Sequence, residues 1–218
     1  RLNKTSKTRL EQFIALICTG RGRPSGVGPC PLSFHSEGIP YKGERFLAAL
    51  TMTEPATQQS AYNILIVCHA NTSRSVMAHV LLEKMLADRG IQNITVRSGG
   101  IAIYARDGMI ASLDAHFILQ EHDIHINREE FVSTDLKRHR DFIANADLIL
   151  TMTGEQKSML DAYPEANGKP AFTLKEFAGE RGDIDDPAMQ GEEAFRARMV
   201  EIKRCLEHSF EDLIQRAT

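Results

Sequence analysis

From Tyr62 onward, apolar and polar positions alternate in blocks that predict strands and helices in turn. Ile64-Leu65-Ile66-Val67 is a continuous apolar, largely β-branched run, the pattern of a parallel strand buried on both faces. A short polar turn follows. Ser75 to Arg89 then reads as a helix with Met77, Val80, Leu81, Lys84 and Met85 along one face and Gly90 as its stop. Thr95 to Ser98 predicts a second strand, and Asp107 to Glu121 a second helix. That helix takes its apolar side from Ile110, Leu113, Phe117, Ile118 and Leu119. Lys137 to Asn145 predicts a third helix and Leu148 to Met152 a third strand. Glu155 to Tyr163 reads as a helix closed by Pro164, and Ala171 to Leu174 as a fourth strand. Glu192 to Gln215 is a long amphipathic helix, with Phe195, Met199, Ile202, Leu206, Phe210 and Leu213 at helical spacing.

Strands alternating with helices predict an α/β fold: a parallel sheet with helices on both faces. In such sheets ligands bind beyond the carboxyl ends of the strands, at a topological switch point. The end of the first strand is therefore the place to look for chemistry.

Residues 1–60 have a different texture. Leu10 to Cys18 and Phe46 to Leu50 are long enough only for short helical turns. Between Gly20 and Gly43 lie six Gly and four Pro with no sustained period, which reads as loop or disorder. The chain of 218 residues has a formal net charge of −3, but residues 1–51 carry +5 and the remainder −8. Two readings of this segment stand side by side. It is a basic arm for an acidic partner or RNA, or it is a non-native leader translated upstream of Met52. The second is preferred, because Met52-Thr53-Glu54-Pro55 resembles an ordinary polar N-terminus. The expected division is thus a disordered or non-native leader over 1–60 and one α/β domain over 61–218.

Composition excludes several classes. The near-neutral charge argues against a dedicated nucleic-acid binder. No run approaches the ~18 apolar residues of a membrane span. The apolar stretch Phe13 to Cys18 is shorter than a signal-peptide core of about 7–15 residues. Four Cys without a Cys-x-x-Cys pair suggest neither a disulfide scaffold nor zinc, so a reducing, cytoplasmic setting is expected.

The first strand ends in Cys68-His69-Ala70-Asn71-Thr72-Ser73-Arg74-Ser75. A short loop curling into a helix N-terminus points several backbone N–H groups into one concavity, a nest for a phosphate-sized anion. Arg74 adds a two-pronged donor for phosphate oxygens. Cys68 at the centre feels the same positive field, which favours the thiolate. A thiolate beneath a bound phosphate can attack phosphorus in line and form a phosphocysteine. The Ser75 hydroxyl can donate to that sulfur. The leaving group needs a proton, and Asp186, held just before Pro187 in Gly182-Asp183-Ile184-Asp185-Asp186-Pro187, is the candidate acid. His122 and His125 read as surface residues rather than metal ligands. Cys205 and the remaining methionines read as packing.

These residues resemble the low-molecular-weight protein tyrosine phosphatase family. Cys68, the five-residue spacer, Arg74-Ser75, Met77-Ala78 and the distant Asp186-Pro187 before a closing helix carry the likeness, which spans Tyr62 to Leu213. The resemblance implies a flavodoxin-like three-layer fold with a four-stranded parallel sheet. It implies a phosphatase without metal or cofactor, acting on phosphorylated proteins. By position, Cys68 is the nucleophile, Arg74 the phosphate binder and Asp186 the acid and later the base. His69, Ala70, Asn71, Thr72, Ser73 and Ser75 complete the phosphate loop, and Ser98 of Ser98-Gly99-Gly100 supports Asn71.

Three departures bear on specificity and regulation. Ser73 stands where many members have a second cysteine, so a protective disulfide is not expected. Ala188 and Met189 follow the Asp-Pro pair where tyrosine-specific members carry aromatic residues. Thr72 stands where those members have an aliphatic residue, and resembles the bacterial protein-arginine phosphatase branch. Phosphotyrosine and phosphoarginine both remain open as substrates. The alternative is a catalytically weak phosphate-binding regulator on the same fold. A thioredoxin-linked arsenate reductase is disfavoured, since Cys205 is the only cysteine downstream of Cys68.

Overall fold

The computed structural model describes residues 61 to 218 except 128 and 130. The helical turns and the basic segment expected within 1–60 lie outside the described residues. Among the described residues four strands are formed: β1 (Tyr62–Cys68), β2 (Ile94–Gly100), β3 (Leu148–Thr151) and β4 (Ala171–Thr173). They make one sheet in the order β2-β1-β3-β4, every pairing parallel. The helices are α1 (Arg74–Asp88), α2 (Leu113–Glu121), α3 (Arg140–Asn145), α4 (Gly154–Met159), α5 (Leu174–Phe177) and α6 (Glu192–Arg216).

The apolar run of β1 explains the layering. Its side chains alternate between faces. Ile64, Ile66 and Cys68 join one core with residues of α1, α2 and α6, while Leu65 and Val67 join a second with Leu136, Ile143, Leu160 and Tyr163. A strand buried on both sides must be apolar throughout, as this one is. All six apolar positions expected on the closing helix are buried in α6. Because order reverses between β2 and β3 around β1, the switch point falls at the end of β1, at Cys68.

Several sequence expectations need correction. The second helix does not begin at Asp107. Gly108 takes a left-handed φ of 78° and the Met109 N–H bonds to Ser133 Oγ, so residues 107–112 run as a loop. The helix starts only after Ser112, whose hydroxyl accepts from the Ala115 N–H as an N-cap. Ile110, Leu113 and Phe117 are consequently exposed, and Ala115, Ile118 and Leu119 carry the packing. The third helix begins at Arg140 rather than Lys137, since the Lys137 ammonium is drawn to Asp135 and to the carbonyls of Ala102 and Ala105. Residues 160–162 tighten into a 3-10 turn instead of continuing α4. Lys84 faces solvent beside Asp88. Of the methionines read as packing, Met189 is wholly exposed.

Among the described residues no helix is long and apolar enough to cross a membrane. Nor, among them, does any group of three or more His, Cys, Asp and Glu side chains have the arrangement to hold a metal ion.

Candidate active site

The chain leaves β1 at Cys68 and enters α1 at Arg74, so the intervening loop is pinned at both ends by regular structure. Its backbone is also held from outside. The Ile101 N–H donates to the Cys68 carbonyl and the Ala102 N–H to that of His69, both at 3.0 Å. The Ser112 N–H donates to the Thr72 carbonyl at 2.9 Å. Gly100 lies against the loop so closely that a Cβ there would sit 2.8 Å from the Ala70 carbonyl carbon. A side chain at this position would push the loop out of shape.

Asn71 is the loop's internal brace. It is buried and takes a left-handed φ of 60°, a conformation asparagine tolerates better than most residues. Its amide nitrogen donates to both Ser75 Oγ and Ser98 Oγ at 2.9 Å, and its Oδ1 accepts the Thr134 N–H at 2.9 Å. The strained turn aims the Asn71 backbone N–H at Cys68 Sγ, 3.2 Å away. Ser75 Oγ lies 2.9 Å from the same sulfur. Because Asn71 donates to that oxygen, the serine's own hydrogen is left to point at the sulfur. Two donors thus converge on the Cys68 sulfur.

Arg74 is 1% exposed. Its Nη1 donates to the Ile184 carbonyl at 2.9 Å and its Nη2 contacts Asp186 Oδ2 at 2.5 Å. Among the described residues its buried Nε–H has no hydrogen-bond partner. A buried guanidinium donor without a protein acceptor beside the phosphate loop suits an anionic ligand. Asp186 is brought to the loop across 112 residues of sequence. Its other oxygen accepts the Ala188 N–H, and Pro187 beside it is buried. Ile184, also buried, donates its N–H to Met152, which ties this loop to the end of β3.

The structure therefore brings together Cys68, Asn71, Arg74, Ser75, Ser98 and Asp186. His69 turns outward instead, with Nε2 3.5 Å from Glu155. Thr72 and Ser73 are half-buried on the loop. Cys205 is buried away from this group, and burial pushes its thiol up.

Two contributors escaped the sequence reading. Tyr104 stands edge-on to His69 with ring centroids 6.4 Å apart. Burial pushes its phenol up and the nearby Asp186 carboxylate adds to this, which places Tyr104 at the mouth of the site. An aromatic so close behind Ser98-Gly99-Gly100 was the available signal. His79 reaches Ser98 Oγ with Nδ1 at 2.9 Å. Its place five residues beyond Arg74 on a helix gave no hint of that contact.

Comparison with known proteins agrees with this geometry. The sequence profile described as low molecular weight phosphotyrosine protein phosphatase matches residues 63–217. A protein-arginine-phosphatase of Geobacillus stearothermophilus is 36% identical over 155 residues, covering 70% of this chain and 96% of that protein. A low molecular weight protein-tyrosine-phosphatase, PtpB, of Staphylococcus haemolyticus is 36% identical over 126 residues, covering 57% of this chain and 80% of the relative. Among solved structures, YwlE arginine phosphatase from Geobacillus stearothermophilus superposes with a TM-score of 0.61 at 36% identity, covering 71% of this chain and 94% of its own. A YwlE arginine phosphatase variant with a phosphorylated active-site serine superposes with a TM-score of 0.63 at 30% identity, covering 70% and 96%. This chain belongs to the low molecular weight phosphotyrosine protein phosphatase family.

Proposed function

We propose that the chain hydrolyses phosphorylated side chains of proteins through a phosphocysteine at Cys68, with phosphoarginine as its preferred substrate. The observation that carries the chemistry is the convergence of the Asn71 N–H and Ser75 Oγ on Cys68 Sγ, beside an Arg74 Nε–H that has no partner among the described residues. In the first step the Cys68 thiolate attacks phosphorus. The bond from phosphorus to the leaving nitrogen or oxygen breaks, and the Asp186 carboxyl gives that atom its proton. Arg74 and the loop N–H groups hold the charge that gathers on the phosphoryl oxygens. In the second step water attacks phosphorus and gives a proton to the Asp186 carboxylate. The S–P bond breaks, inorganic phosphate leaves and the thiolate is restored.

Arg74 and Asp186 touch each other directly, so the two steps are linked. A phosphoryl group that engages the guanidinium competes with the carboxylate for its donors. Binding substrate therefore frees the Asp186 carboxyl to face the leaving group.

The preference for phosphoarginine rests on the walls of the pocket. Ala188 and Met189 are exposed and offer no aromatic surface after the Asp-Pro pair. Thr72 is half-buried on the loop, and a hydroxyl there can narrow the pocket and contact a guanidinium group. Glu155 places a carboxylate beside His69 near the mouth, which suits a guanidinium better than a phenyl ring. Two relatives bear the name protein-arginine-phosphatase. Tyr104 supports the second reading, phosphotyrosine, because its ring could stack on a phenyl group.

The discriminating experiment compares kcat/KM on phosphoarginine and phosphotyrosine peptides of one sequence, in the wild type and in Thr72→Ile. The proposal expects the wild type to favour phosphoarginine and the variant to shift toward phosphotyrosine. A wild type that favours phosphotyrosine overturns the substrate preference and leaves the cysteine chemistry standing. Equal turnover of p-nitrophenyl phosphate by the wild type and Cys68→Ser would overturn the chemistry itself.

A further inference from the structure

We infer that His79 is a positioning residue for the nucleophile, its Nδ1 accepting the hydroxyl hydrogen of Ser98. The inference rests on Cys68 as the nucleophile and concerns a side chain that the reaction above does not use. His79 belongs to α1, and its side chain is only 12% exposed. Its Nδ1 lies 2.9 Å from Ser98 Oγ and its Nε2 lies 3.2 Å from Glu83 Oε1. The Phe131 ring packs edge-on against it, 4.9 Å between centroids.

The direction of every hydrogen bond in this chain follows from what each group can offer. An amide nitrogen only donates. Asn71 Nδ2 therefore spends one hydrogen on Ser75 Oγ and the other on Ser98 Oγ. Each serine must then direct its own hydrogen elsewhere. Ser75 directs its hydrogen to Cys68 Sγ. Ser98 has His79 Nδ1 within reach, provided that nitrogen carries no proton. Glu83 secures this condition, because a carboxylate only accepts and so keeps the ring proton on Nε2. The result is one polarised path: His79 accepts from Ser98, Ser98 accepts from Asn71, and Asn71 also donates to Ser75, which donates to the sulfur.

Protonation of Nδ1 breaks the pattern. Ser98 Oγ would then face two donors, and its own hydrogen would lose its acceptor in a buried place. The bond from Asn71 to Ser98 weakens, and with it the hold on the left-handed turn that aims the Asn71 N–H at Cys68. Among the described residues, the charged side chains that share the surface groove with His79 are Glu83 on its own helix and Arg97 on β2. Phe131, from the segment across the groove, brings none. The path from Glu83 to Cys68 thus connects the nucleophile to the surface groove lined by His79, Glu83 and Arg97.

The test uses the whole chain with two variants and one spectroscopic measurement. Carboxymethylation of Cys68 by iodoacetate is followed against pH by peptide mass spectrometry, alongside kcat and KM on p-nitrophenyl phosphate. His79→Leu removes the acceptor and is expected to slow alkylation near pH 6 about three- to tenfold, with the loss in kcat and KM little changed. His79→Asn offers Oδ1 where Nδ1 stood and is expected to restore both, which a merely space-filling role would not predict. The ¹⁵N ring spectrum of the wild type is expected to show the Nε2–H tautomer of His79, with Nδ1 as the acceptor. That spectrum requires no variant, so the inference stays open to refutation even if the leucine variant does not fold. A folded His79→Leu with wild-type alkylation and kcat, or a ring protonated on Nδ1, overturns it. Failure of Cys68 as nucleophile would show separately, as turnover by Cys68→Ser.

Discussion

Replacing Asn71 with alanine removes three side-chain hydrogen bonds, those to Ser75, Ser98 and Thr134, all at 2.9 Å. The position is 1% exposed, so water does not replace them freely. Each buried group left without its partner costs about 1 kcal/mol or somewhat more, which makes about 3 kcal/mol in all. Alanine must also adopt the φ of 60° that Asn71 holds, where a Cβ without a local hydrogen bond adds about 1 kcal/mol. The expected loss is therefore about 4 kcal/mol, or about 8–16 °C in melting temperature for a domain of this size. Urea unfolding followed by circular dichroism measures it, with carboxymethylation of Cys68 as a second readout. Alkylation should slow as well, since the turn no longer aims the backbone N–H at the sulfur. A variant within 1 kcal/mol of the wild type and with unchanged Cys68 reactivity would refute the claim that Asn71 braces the loop.

Asp186→Ala should slow release of poor leaving groups by about 10²- to 10⁴-fold and release of p-nitrophenol much less, because only the former need a proton in the transition state; equal losses on both would remove Asp186 as the acid. Asp107→Asn should flatten the stability profile in acid. The Asp135 N–H donates to the Asp107 carboxylate at 2.7 Å and, with His139, holds it below the usual carboxylate range. Folding therefore favours the ionised form. That contribution is complete above the unfolded value near about 4 and is lost as pH falls through the lower folded one. The wild type should accordingly lose more stability than the variant below about pH 5, measured by urea midpoints, and parallel curves would contradict the assignment.

The parts of the site that were legible in the sequence are those carried by local pattern. The apolar run Ile64 to Val67 fixes a doubly buried strand, and that strand delivers Cys68 to the switch point. The spacing from Cys68 to Arg74 needs only one loop and the start of one helix. Asp186 was found because proline follows it, although its partner Arg74 lies 112 residues away. What stayed hidden depends on contacts between distant segments. The loop at 107–112 reads as a helix until Ser133 and Thr134 come to lie beside it and beside Asn71. Gly108 within the supposed helix, and Ser112 just before the true one, were the local warnings. Tyr104 and His79 acquire their meaning only from neighbours across the fold, His69 for one and Ser98 for the other. Leu113 and Phe117 fit a helical period but face solvent, since α6 and the sheet already enclose Ala115, Ile118 and Leu119.

The central claim, a phosphoryl group carried on Cys68, is tested most directly by trapping it. Asp186→Asn should take up phosphate from p-nitrophenyl phosphate faster than it can hydrolyse the intermediate. Acid quench within the first turnover, followed by peptide mass spectrometry, should find one phosphoryl group on the peptide containing Cys68 and none in Cys68→Ser incubated identically. Steady turnover with no phosphoryl group on Cys68 at any quench time, or one on another residue, would contradict the account.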